Sequence, residues 1–151
     1  CAVNKLPSWD GLGRTKVLLA ANIFPLIAKI FGYFPGDKLG FAGREAQMII
    51  NDWSATILTG RYQPIGNTFD YEHALSALKK RILAFSIEND DLATKKAVNN
   101  LLKKFNPQSD IQHIHLTSAE SGVKQINHFN WVKQSDYIAT KIANWEKGND
   151  S

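Results

Sequence analysis

The sequence predicts an α/β fold: a few parallel strands with flanking helices, behind a helical cap segment. Three observations carry this. Five of the six residues at 82–87 are apolar, two of them β-branched and one aromatic, and the run stops at Glu88-Asn89-Asp90-Asp91. An apolar run of that length between helical patterns reads as a strand buried on both faces of a parallel sheet. From residue 82 onward the order is strand, acidic loop, helix, strand, His-containing loop, helix, which is the pattern of parallel βα units. Before Gly60 the patterns are helical, so that part forms a separate layer or cap.

In chain order, Cys1-Ala2-Val3 reads as the tail of a strand. Residues 4–13 hold Pro7, Gly11 and Gly13 and read as loop. Thr15 is the expected N-cap of a first helix. Val17, Ala20, Ala21, Phe24, Ile27, Ala28 and Phe31 follow at helical spacing, while Leu18, Leu19, Ile23, Leu26 and Ile30 make the other side apolar too. A helix apolar all round is buried or covers something. Pro25 is expected to kink or break it. Residues 32–41 form a connector whose glycines mark tight turns and whose rings act as anchors. Ala46, Ile49, Ile50, Trp53 and Ile57 form one face of a second helix over 44–59, stopped by Gly60. Residues 63–68 are loop and 71–78 a short helix. Past the acids, Val98, Leu101, Leu102 and Phe105 give a helix over 94–105, and 110–116 is the next strand. A last helix over 135–147 carries Ile138, Ile142 and Trp145 inward.

At 151 residues the chain is long enough to bury a core, and its 44% hydrophobic and 21% charged residues are globular values. The net charge is +4, yet the lysines are scattered in short pairs and make no basic stripe interleaved with aromatics, which argues against nucleic acid. One cysteine excludes an internal disulfide and a CxxC-type metal site, and fits a reducing, cytoplasmic compartment. The longest uncharged run, 17–28, is too short to cross a bilayer, so no stable membrane insertion is expected. The chain opens on Cys1 rather than Met, which predicts a missing or processed N-terminus.

In an α/β sheet, functional groups sit past the carboxyl ends of strands. Asp90 follows the first strand and His128 the loop after the second, so both are expected on one sheet edge. A carboxylate accepting from an imidazole N–H fixes the tautomer that acid–base work requires. The plainer readings are a helix cap for the Asp and packing for the His. His113 and His115 alternate on one strand face with Asp110 nearby, but no third ligand is evident, so strand surface is expected rather than metal. Cys1 is expected to be inert, and no cofactor is implied.

Gly32-Tyr33-Phe34-Pro35-Gly36, Leu39-Gly40-Phe41, Asp52-Trp53, Arg61-Tyr62, Asn89-Asp90-Asp91-Leu92-Ala93 and His128-Phe129 resemble, in that order, the carboxy-terminal part of a family of predicted α/β-hydrolases. The resemblance spans 33–131. It implies a partial α/β-hydrolase fold: 1–13 as the end of an upstream strand and a loop, 14–69 as cap or lid, and 70–151 as the C-terminal βαβα part of the sheet. It implies Asp90 as triad acid, His128 as general base, and the 24–53 region as cap over a pocket for an apolar or acyl substrate. Asp91 is the alternative acid and Glu88 a poorer one. Asn127 stands where the family usually has Gly, and Thr94 where it has Pro; Thr can cap the following helix. No G-x-S-x-G occurs: Ser8 and Ser121 lie on no strand-to-helix elbow, so nucleophile and oxyanion loop are expected upstream. The complete protein would then hydrolyse an ester, thioester or amide, and this portion alone would be inactive. The alternative is a non-catalytic relative that binds an apolar ligand or a protein, associating through an exposed sheet edge. A third reading is a membrane-surface accessory protein using 15–31.

Overall fold

The computed structural model describes residues 8–40, 43–122 and 124–148, which form a mixed α/β chain. The expected strand tail at Cys1-Ala2-Val3 and the Phe41 ring lie outside them. The described residues divide into two compact units, 8–77 and 78–148.

The first unit is built on helix α1, Gly11–Phe31, which starts four residues before the expected Thr15 cap. Trp9 is buried with Ala21 and Ile57, and it seats against Gly13, so the glycines that read as loop are drawn into the first turn. Pro25 does not end the helix. Proline removes one ladder bond, and packing on both sides of it holds the helix together: Val17 and Ala21 in one cluster, Phe24, Ile27 and Ala28 in another. Gly32 closes α1 in the left-handed region, at φ 75°. The connector then forms strand β1, Tyr33–Pro35, and helix α2, Gly36–Leu39. β1 pairs antiparallel with β2, Arg44–Ala46, where a helix was expected to begin. Helix α3 is therefore only Gln47–Thr59, stopped as expected by Gly60 in the left-handed region. Of its anticipated inner face, Ile50 and Ile57 are buried, but Ile49 is exposed and Ala46 belongs to β2. Phe34 is fully buried against Phe24, with ring centroids 4.5 Å apart, so the anchoring role read for the connector's rings is met here. Asp52 accepts from the Ile65 N–H at 2.8 Å, tying the 63–68 loop back to α3, before helix α4, Tyr71–Ala77.

The second unit holds strand β3, Arg81–Ile87, and strand β4, Asp110–Leu116, paired in parallel and in simple register from Arg81↔Asp110 to Ile87↔Leu116. The two pair only with each other among the described residues. β3 is accordingly half-buried rather than buried on both faces; Ser86 alone in it is fully covered. Thr94 caps helix α5, Lys95–Leu102, by accepting from the Ala97 N–H, and the helix ends three residues before the expected Phe105. After β4, Thr117 and Glu120 form a reciprocal capping box on a single helical turn, α6, Ser118–Ser121, where loop was expected. A 3₁₀ turn, Trp131–Gln134, leads into helix α7, Ser135–Glu146. Ile138 packs with Leu116, Ile126, Phe85 and Ile114 in the core of this unit. Ile142, expected inward, is exposed, and Trp145 lies half-buried beneath the Arg81 guanidinium, 4.7 Å from its ring centre. No described helix is long and apolar enough to cross a membrane.

Candidate functional site

Because β3 and β4 run parallel as neighbours, the chain leaves both strands at one edge of the sheet. The loops beyond them carry Asp90 and His128. Leaving β3, the backbone turns sharply: Asn89 takes φ +57°, a left-handed conformation that Asn tolerates better than most residues. Asp90, one residue on, is buried. Its Oδ1 accepts from the Leu92 N–H at 3.0 Å and the Ala93 N–H at 2.7 Å, the geometry of an Asx turn. Asp90 thus closes a turn rather than capping a helix as anticipated; the cap of the following helix is Thr94.

Leaving β4, the chain passes through α6 and returns to Ile126, which is fully buried in the core of this unit. Between Ile126 and the 3₁₀ turn, two asparagines clasp a tight turn. Asn127 Oδ1 accepts from the Phe129 and Asn130 N–H groups, at 3.0 and 3.1 Å, and Asn130 Oδ1 accepts from the Asn127 N–H at 2.7 Å. Asn130 Nδ2 donates to the Gln125 carbonyl at 2.7 Å. His128 sits at the tip. The side chain of Asn127, where the resembled family has Gly, is therefore part of the turn's own bonding. Asn89 Nδ2 reaches the Ile126 carbonyl at 3.4 Å, a long bond linking the two loops.

The loops bring Asp90 and His128 together: His128 Nδ1 lies 2.9 Å from Asp90 Oδ2 and 3.1 Å from Oδ1. An ionised carboxylate only accepts, so Nδ1 carries a proton, and in the neutral ring Nε2 is then the free base. The Asp90 side chain is 4% exposed and the His128 side chain 41%. The acid is fixed inside while the imidazole is open to solvent, an arrangement suited to taking a proton from a group outside the pair.

The other candidates separate from this pair. Asp91 is exposed. Glu88 accepts from the Ser118 hydroxyl at 2.6 Å and the Ser118 N–H at 2.8 Å, bonds that hold its carboxyl below the usual value and tie the end of β3 to α6. Ser8 is buried, just ahead of α1; Cys1 lies outside the described residues. An open groove of about 790 Å³ runs along the same sheet edge, lined by polar side chains that include Asn89, Lys124, Asn127 and Asn130.

His113 and His115 share one face of β4 and straddle Ser86. Ser86 Oγ lies 2.8 Å from His113 Nε2 and 2.8 Å from His115 Nδ1. One hydroxyl can donate to one imidazole and accept from the other, which satisfies both rings when they are neutral. Burial first, then the nearby Lys95 ammonium, pushes both histidines below their ordinary pKa. Among the described residues, no three His, Cys, Asp or Glu side chains are grouped to hold a metal ion.

Sequence reasoning passed over Asn89, Asn130 and Ser86. The N-x-x-N spacing of 127–130 and an Asn within two residues of a strand end were the available signals for Asn130 and Asn89. Nothing local marks Ser86, whose partners are 27 and 29 residues away. Comparison with protein-family models, curated proteins and solved structures gives no match to this chain.

Proposed function

We propose that this chain is the acid–base portion of a serine-hydrolase-like α/β-hydrolase, which cleaves an ester, thioester or amide through an acyl-enzyme. His128 is the general base that takes the proton from a serine, and Asp90 orients His128 and stabilises its charged form. The observation that carries the reading is the 2.9 Å contact between a buried carboxylate and a solvent-open imidazole, beyond the ends of two parallel strands. The order acid then histidine along the chain agrees with it. The nucleophile in this reading is supplied by sequence outside these residues, since no G-x-S-x-G lies within them.

The test is fluorophosphonate labelling and ester hydrolysis by the protein carrying its native sequence upstream of Cys1. His128→Ala is expected to abolish labelling. Asp90→Asn is expected to slow turnover by orders of magnitude, because the imidazole adopts the wrong tautomer; about 10⁴-fold is the scale for such a change in a Ser-His-Asp triad. Labelling that persists unchanged in both variants would defeat the assignment.

A further inference from the structure

We infer that α1 docks the protein on an anionic lipid surface, lying flat in the headgroup region without crossing it. This does not depend on the hydrolase reading. Val17, Ala21, Phe24 and Ala28 face the unit's own core. Leu12, Leu19, Ile23, Leu26 and Ile30 fall within an arc of about 60° on the opposite side of the helix, at 100° per residue. They are 80, 54, 45, 61 and 79% exposed. The ridge they make is about 27 Å long, at 1.5 Å per residue. Scattered surface leucines need no explanation, but four exposed apolar residues in line from Leu19 to Ile30, with Leu12 two turns before them, do.

The occupant follows from charge. Lys16 and Lys29, both exposed, flank this ridge on its two sides, and no Asp or Glu occurs from Gly11 to Gly36. Pairing α1 with a second copy would oppose like charges along a seam that includes Lys16, whereas an anionic surface complements them. With its inner side held in the unit's own core, the helix presents an apolar outer face flanked by cations and is not apolar enough to span, which suits it to lie in the headgroup region.

The experiment is co-sedimentation of the full chain with phosphatidylcholine vesicles, with and without phosphatidylglycerol. Binding is expected only when phosphatidylglycerol is present. Each basic residue near such a surface contributes about fivefold in partition, so Lys16→Gln with Lys29→Gln should weaken binding roughly 25-fold. Leu19→Glu with Ile23→Glu should abolish it, with an unchanged circular dichroism spectrum because both positions are exposed; Ile30→Ser, a milder change, should weaken it measurably. Three results would overturn the inference: no sedimentation with anionic vesicles, sedimentation indifferent to these substitutions, or a dimer in ultracentrifugation that Leu19→Glu with Ile23→Glu splits. The last would make the face an interface between copies.

Discussion

Replacing Asp90 separates its two roles, because one oxygen serves the backbone and both face the imidazole. Asp90→Ala removes a buried carboxylate that accepts from Leu92, Ala93 and His128. Hydrogen bonds to a charged group contribute about 1.5–3 kcal/mol each. Leu92 is exposed, so water can replace its bond, and the His128 ring can turn to solvent; Ala93 is half-buried and regains less. The expected loss is about 2.5–4 kcal/mol, combining one charged bond with a cap-like term of about 1 kcal/mol. Asp90→Asn keeps an acceptor for both N–H groups and should cost about 1 kcal/mol or less. Its Nδ2 donor, however, now faces the imidazole and forces Nδ1 to accept. Urea denaturation measures the first difference, and ring ¹⁵N NMR shifts read the tautomer. If Asp90→Ala were as stable as the parent chain, or Asp90→Asn left the proton on Nδ1, the account of this site would be wrong.

Other perturbations test the rest of the structure. Both His113 and His115 have folded-state pKa values below the ordinary 6.5, so the unfolded chain binds more protons as pH falls through that value. Stability is then fully present above about pH 6.5 and declines as pH falls below it toward the folded-state values; urea midpoints between pH 7 and 5 should show the decline, flattened in His113→Gln with His115→Gln. Thr94→Ala removes the cap of α5 and is expected to cost about 1 kcal/mol in urea titration. Phe34→Ala empties a fully buried position against Phe24, and should cost about 3–5 kcal/mol by the same measurement. Gly32→Ala places a Cβ at φ 75°, where space is open but the backbone is strained, so about 1 kcal/mol is expected, seen as a lower melting temperature.

What the sequence determined by itself was whatever depends on near neighbours. The β3 and β4 runs, the Gly60 stop and the Thr94 cap rest on residues within a few positions of one another, and periodicity or capping chemistry exposes them. Asp90 and His128 were legible as residues beyond strand ends. Their meeting was an inference from the strands being parallel neighbours, which only the fold could decide. Tertiary structure also decided which apolar residues turn outward. Ile49, Ile142 and the ridge from Leu12 to Ile30 are as apolar as their buried counterparts, and hydrophobicity has no direction until a partner surface exists. The three-residue strands β1 and β2 were illegible for a related reason: each is too short for an alternation to register, and only the pairing of Tyr33 with Ala46 makes them strands. Ser86 was hidden in the same way, since a serine between two histidines is visible only when two strands 29 residues apart lie side by side.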